Sequence, residues 1–255
     1  MAIRAQPKHP KLSSIIPGDI STYPHDSLLD QYTRVSSIPD MGMGVTATND
    51  IPAGTTWYLA TAMERYIPIP RKTMTAIRLA GRKHKEWKLF RDSVEMITVY
   101  SKRWDTLNYS LDAIRFLNHG IVEGEGEDGV GNVMVGGEAV GEGTLVGWSF
   151  WATRDIKEGE QLVVNYLGFN ECPWSTACAQ FLKGGQGVDL GKLDDETVFD
   201  DTPVEMLLTR EQLMVYVQSA LDRDIDKALF MIIAKWGVWD EARGLWVVRV
   251  PVDTK

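Results

Sequence analysis

Arg115-Phe116-Leu117-Asn118-His119-Gly120 is the stretch on which the interpretation of this chain turns. It sets two short polar side chains and a glycine directly behind an apolar Phe-Leu pair. Alone, Asn-His-Gly suits the turn after a strand as well as the turn after a short helix. Two other stretches give it weight. Downstream, Ala152-Thr153-Arg154-Asp155-Ile156-Lys157-Glu158-Gly159-Glu160-Gln161-Leu162-Val163-Val164-Asn165-Tyr166 predicts strand, turn and strand, ending on a tyrosine. Upstream, Gly42-Met43-Gly44-Val45 opens a β-leaning segment that closes in a tight turn at Pro52-Ala53-Gly54. A glycine pair weakens a strand's packing but lets its backbone approach another backbone or a ligand closely. A glycine-rich hairpin turn accounts for the same two residues without any ligand.

Composition narrows the function classes. The chain has 255 residues, 44% hydrophobic and 24% charged, which suits one well-cored domain with an appendage or two small domains. A net charge of −8 speaks against a general nucleic-acid binder and fits a basic partner better. Two cysteines, Cys172 and Cys178, build neither a disulfide framework nor a four-cysteine zinc site. No apolar run reaches the length of a membrane span, and the N-terminus lacks the apolar core of a secretory signal. The expectation is a soluble intracellular protein, in nucleus or cytoplasm, with no direct nucleic-acid or membrane contact.

Along the chain, residues 1–32 form a proline-containing arm. Strands are expected from Tyr32, over 55–60, 132–135 and 145–152, and again from Gln161 to Tyr166. Residues 61–110 depart from this pattern: Ile67-Pro68-Ile69-Pro70 is extended, and 71–90 is helix-compatible with Ile77, Leu79, Trp87 and Phe90 as its buried side. Arg78, Arg82, Lys83, Lys85 and Lys88 in that stretch predict a solvated basic face rather than a nucleic-acid site. Glu123, Glu125, Glu127 and Asp128 alternate with glycines in a solvated acidic loop that could steer a basic substrate. After a linker over 169–201, Thr209 and Gln212 form a capping box ahead of a helix, and Asp224 caps a second one ending near Trp236. Trp239 and Trp246 flank a closing hairpin.

The three blocks, in their order, resemble the SET domain of protein lysine methyltransferases, over residues 33–168 with an insert at about 61–110. The resemblance implies a mostly β fold with helical additions: small curved sheets, a threaded, knot-like C-terminal segment, and here a C-terminal helical extension over 202–255. It implies S-adenosylmethionine as methyl donor, with Gly42, Met43 and Gly44 bringing backbone against it. Arg115, Phe116, Asn118 and His119 match the family's Arg-Phe-x-Asn-His segment, whose Asn and His hold the two ends of the donor, partly by main chain. Tyr166 matches the family's tyrosine where the lysine channel meets the donor methyl. Tyr109 could line that channel or be ordinary packing, and Trp174 could cover the adenine.

Methyl transfer to an amine is an in-line displacement that requires positioning and a dry channel, not a metal. The absence of a metal-ligand cluster therefore fits. The resemblance implies transfer to a lysine of a protein substrate, such as a basic histone tail. The chain departs from the family at Gly120 (serine or cysteine is usual), at Asn165 (aspartate is usual), and at Gly131-Asn132, where proline-asparagine commonly stands. Those departures keep open a second reading, a SET-fold module that binds a peptide or protein partner and transfers nothing.

Overall fold

The computed structural model describes residues 31–59, 65–102, 104–120, 131–136, 149–166, 169, 172–175, 202–219 and 224–252. The N-terminal arm, the acidic loop at 123–128 and residues 183–201 of the expected linker lie outside the described residues. In chain order the strands of the first half are β1 (Thr33–Ile38), β2 (Gly42–Ala47), β3 (Thr56–Leu59) and β4 (Tyr66–Pro70). Helices α1 (Arg71–Lys83) and α2 (Lys85–Ile97) follow, then β5 (Thr98–Ser101), β6 (Thr106–Ser110), a 3-10 turn at Ala113–Phe116, and β7 (Asn118–His119). Next come β8 (Val133–Gly136), β9 (Ser149–Ala152) and β10 (Gln161–Val164). The chain closes with β11 (Glu205–Thr209), α3 (Arg210–Ser219), α4 (Asp224–Trp236), β12 (Gly237–Asp240) and β13 (Leu245–Arg249). Among the described residues the architecture is thus mixed, four small sheets and a few helices, with more helix than the mostly β expectation.

One sheet carries all three sequence blocks. Its order is β1-β2-β10-β7, with the β1–β2 and β2–β10 pairs antiparallel and β7 parallel to β10. The β1–β2 hairpin runs from Thr33↔Ala47 to Ile38↔Gly42. Its turn needs left-handed backbone at Asp40 (φ 59°) and Gly42 (φ 85°), the conformation glycine adopts without steric cost. Val45, Ala47, Leu162 and Val164 face a core shared with Trp57 and Phe150 of the β3-β9-β8 sheet.

A second core lies apart from the first. Ile69, Met74, Trp87, Phe90 and Leu107 from the insert pack with Leu208, Leu213, Leu229 and Ile233 from the C-terminal stretch in one cluster. The insert and the C-terminal elements therefore bury each other's apolar faces. The C-terminal stretch is not helical alone, since β11, β13 and β12 form a three-stranded sheet against α4.

Local signals hold in several places. Thr209 Oγ1 accepts the Gln212 N–H (3.1 Å) while Gln212 Oε1 accepts the Thr209 N–H (2.9 Å), a reciprocal capping box. Trp239 and Trp246 are cross-strand partners in the terminal hairpin. The single helix expected over 71–90 is instead two, broken at an extended His84 (φ −125°, ψ 124°). The break folds α2 back onto α1, and a Cβ on Gly81 would come within 3.3 Å of the Lys88 Cα. Arg78 is also not part of a solvated face: it is 4% exposed and paired with Glu95 at 2.9 Å.

Candidate active site

The glycine block, the Asn-His segment and the strand leading to the tyrosine become neighbours through β10. Gln161 and Leu162 pair with Thr46 and Val45 on one side, while Val163 and Val164 pair with Asn118 and His119 on the other. Asn118 binds the first block directly, its Nδ2 donating to the Met43 carbonyl at 3.1 Å. Gly44 makes this possible. A Cβ there would stand 2.5 Å from Ile38 Cγ1 and 2.9 Å from both Asn118 Nδ2 and Gln161 Nε2. Gly42 has open space around its missing Cβ and serves the turn instead.

Tyr166 lies just beyond β10 and turns back over β7. Its backbone N–H donates to His119 Nδ1 (3.1 Å), and its hydroxyl donates to the Leu117 carbonyl. Its ring lies 5.5 Å from the His119 ring and stacks at 5.5 Å on Phe169. An imidazole that accepts at Nδ1 is neutral and carries its proton on Nε2. Burial lowers the His119 pKa below its ordinary 6.5, which the Val164 backbone only partly offsets. The cluster is therefore an uncharged aromatic wall with one hydroxyl fixed in direction.

β7 is an edge strand among the described residues. The Gly120 N–H donates to the Val164 carbonyl at 3.2 Å, which fixes the phase of the parallel ladder. In such a ladder the main-chain groups of alternate residues point to opposite sides, so the N–H and C=O of His119 face the open side of β7. Among the described residues no strand pairs there, so a donor and an acceptor stand side by side at that edge.

Two departures noted in the sequence have structural counterparts. A Cβ at Gly120 would lie 2.8 Å from Val163 Cβ and 2.9 Å from its Cγ2, so this chain holds the space with valine methyls. Gly131 passes so near β10 that a Cβ would lie 2.2 Å from the Val163 carbonyl oxygen. Asn132, 2% exposed, then accepts the Val163 N–H (2.8 Å) and donates to the Gln161 carbonyl (2.8 Å) and Glu160 Oε1 (3.1 Å). Its amide ties down the strand that delivers Tyr166. The sequence offered one signal for it, an asparagine behind a glycine at the start of a strand.

Four expected site residues serve elsewhere. Tyr109 is 1% exposed in the second core, its hydroxyl 2.9 Å from Ser93 Oγ and its ring 5.4 Å from Phe90, so packing and not the Tyr166 cluster claims it. All five residues of β6 are buried, so both faces are covered and alternation does not say which side chain meets the site. Trp174 belongs to the same core, with its indole N–H on Asp105 Oδ1 at 2.8 Å. Arg115 donates to the Leu111 carbonyl (2.5 Å) and to Ser219 Oγ and O (both 2.8 Å), with its guanidinium against Phe116 (4.7 Å) and Tyr216 (4.9 Å). That arginine bolts the Asn-His segment to α3 and does not join Asn118 and Tyr166. Phe116 is 7% exposed in the first core, a packing role.

No protein-family model matches the chain, and no curated protein does. Among solved structures, a candidate histone methyltransferase of Plasmodium falciparum overlaps 53% of this chain and 92% of its own, at 10% identity and a TM-score of 0.33. Polycomb Repressive Complex 2 of Chaetomium thermophilum overlaps 55% of this chain and 16% of its own, at 18% identity and a TM-score of 0.36. The same complex, autoinhibited and bound to S-adenosylmethionine, overlaps those same shares at 19% identity and 0.35. Overlaps of this extent assign the chain to no family, and the case for its chemistry comes from its own residues.

Proposed function

We propose that this chain is a SET-type methyltransferase that moves a methyl group from S-adenosylmethionine to the side-chain amine of a lysine in a protein substrate. The observation that carries the proposal is the convergence of the three blocks. Residues far apart in sequence meet in one sheet, and the tyrosine hydroxyl comes to rest on the carbonyl immediately before Asn118-His119.

The residues fit the donor. The paired N–H and C=O of His119 on the free edge of β7 suit an adenine edge, which offers an acceptor nitrogen beside an amino group. Asn118 keeps its Oδ1 and a second N–H for the amino-acid end while one N–H holds Met43. The donor supplies, when bound, a methyl group on a positively charged sulfur.

The chain's own part is orientation and exclusion of water. Tyr166 commits its proton to Leu117, so its oxygen presents lone pairs that can orient a polarised methyl through weak C–H···O contacts. The neutral His119 and the rings of Tyr166 and Phe169 make an apolar flank, where a lysine amine loses its proton more readily than in water. With the donor bound, the amine nitrogen would take the methyl as its bond to sulfur broke, and the proton lost by the amine would go to solvent. A basic lysine-bearing segment such as a histone tail suits the chain's net charge of −8.

Tyr166→Phe tests this reading. Removing one preorganised group at a reacting centre costs on the order of 10²-fold in turnover, with little change in donor affinity. The rival reading, a binding module without transfer, draws on Gly120 and Asn165, and at Gly120 the Val163 methyls leave no room for the family's larger residue. Titration with S-adenosylmethionine separates the two, because a pure binding module has no need to hold the donor.

A further inference from the structure

Beside the site lies a buried polar cluster that takes no direct part in methyl transfer. Asp112, 4% exposed, is its centre. Its Oδ2 accepts the Tyr58 hydroxyl (2.7 Å) and Arg65 Nη1 (3.0 Å), and its Oδ1 accepts the Ile114 N–H (3.1 Å). The Tyr66 hydroxyl lies 3.4 Å from that of Tyr58. Burial pushes the Asp112 carboxyl upward, while Arg65, Tyr58 and the Ile114 N–H pull it back. A buried ion pair is a poor source of stability but a strong constraint on direction.

From this carboxylate a continuous series of bonds runs to the site. Asp112 Oδ1 holds the Ile114 N–H, the Ile114 carbonyl accepts the Leu117 N–H at 3.0 Å, and the Leu117 carbonyl accepts the Tyr166 hydroxyl. Ile114 is the pivot, bonded through both main-chain groups. The strand just beyond is secured differently, by the β10 ladder and by Asn118 on Met43. The Leu117 carbonyl therefore depends on the turn, and the groups facing the donor do not.

We propose that Asp112 is a positioning residue for the Tyr166 hydroxyl, acting through Ile114 and Leu117, so that loss of its paired carboxylate slows methyl transfer without weakening donor binding. The kinetic half of this proposal rests on the methyltransferase reading; the positional half does not. Asp112→Asn retains an acceptor for Ile114 and removes the charge that Arg65 and Tyr58 hold. Tyr58→Phe removes a single donor and serves where the first variant fails to fold.

Both are tested in the full chain by three measurements: single-turnover transfer from labelled S-adenosylmethionine, calorimetric donor binding, and NMR of tyrosines labelled with carbon-13 at Cζ. The Tyr166 resonance is assigned by its loss in Tyr166→Phe. Turnover is expected to fall about 10- to 100-fold, the range a misplaced group costs, with donor affinity within about twofold of wild type and a displaced Tyr166 resonance. Full turnover with an unmoved resonance in either folded variant overturns the proposal. So does a loss of turnover matched by an equal loss of donor affinity, which marks a merely structural role. If the wild type neither binds the donor nor transfers a methyl, the methyltransferase reading falls, and the Tyr166 resonance still decides whether Asp112 sets that hydroxyl.

Discussion

Replacing Asn132 by aspartate changes one atom's chemistry and leaves shape alone, which makes it a sensitive probe of how β10 is held. The new carboxylate still accepts the Val163 N–H at 2.8 Å. Where the amide donated, however, an oxygen now faces the Gln161 carbonyl at 2.8 Å and Glu160 Oε1 at 3.1 Å. Two carboxylates about 3 Å apart repel by about 5 kcal/mol at an effective dielectric of 20. Arg154, bonded to the same Glu160, and nearby water reduce this to about 2 kcal/mol. The unpaired Gln161 carbonyl adds about 1–2 kcal/mol. Asn132→Asp should therefore cost about 3–4 kcal/mol at neutral pH, comparable with Asn132→Ala, which strands both the Val163 N–H, at about 1–3 kcal/mol, and the Gln161 carbonyl, at about 1–2 kcal/mol.

The pH dependence gives the sign. Repulsion raises the introduced carboxyl's pKa in the folded state above its unfolded value of about 3.9. The folded variant then binds more protons than the unfolded one between those values, so its deficit grows as pH rises through that window and shrinks as pH falls. Urea unfolding of wild type and variant from pH 8 to pH 5, with wild type subtracted to remove the titration of Glu160, reads this directly. Wild-type stability at pH 7, or a deficit independent of pH, would refute the assignment of the Asn132 amide.

Other predictions are simpler. Tyr109→Phe should cost about 1 kcal/mol through its bond to Ser93 and leave methyl transfer unchanged; a tenfold fall would restore the tyrosine to the channel. Arg115→Met should destabilise by about 1–3 kcal/mol, since it takes the guanidinium donor from the Ser219 carbonyl and leaves the Leu111 carbonyl with the Ser219 hydroxyl as its remaining donor, while the folded fraction binds donor normally. Undiminished stability with lost donor affinity would contradict its placement against α3. His119 has a pKa depressed by burial, so the unfolded chain takes up its proton first as pH falls through 6.5. Wild type should lose stability relative to His119→Asn below that pH, and parallel denaturation curves from pH 8 to 5 would sink the idea of a half-buried neutral imidazole.

What was legible in the sequence was either local or ordered along the chain. The Thr209–Gln212 capping box and the Trp239–Trp246 hairpin are set by residues a few positions apart. The strands around the three blocks follow from alternation and turn chemistry, and the Asn-His segment and the Tyr166 strand do meet. What was not legible depends on packing between distant segments. No local rule separates α1 from α2 at His84; the close crossing at Gly81 does. Arg78 lies among exposed cations in sequence, yet Glu95, the Trp174 carbonyl and Ser175 enclose it. Arg115 sits inside the motif but reaches a helix that begins almost a hundred residues later. Asp112 and Asn132 gave little warning, because their roles depend on which main-chain groups come within reach after folding.

Those same two residues surround the claim on which everything functional depends, that Tyr166 stands where a methyl is transferred. The direct measurement is transfer of labelled methyl from S-adenosylmethionine to lysines of histones and whole-cell protein, with Tyr166→Phe alongside and donor affinity measured for both. The account predicts label on lysine in the wild type, a fall of about 10²-fold in the variant, and equal donor binding. Undiminished transfer by the variant, or a wild type that does not bind the donor, would contradict it.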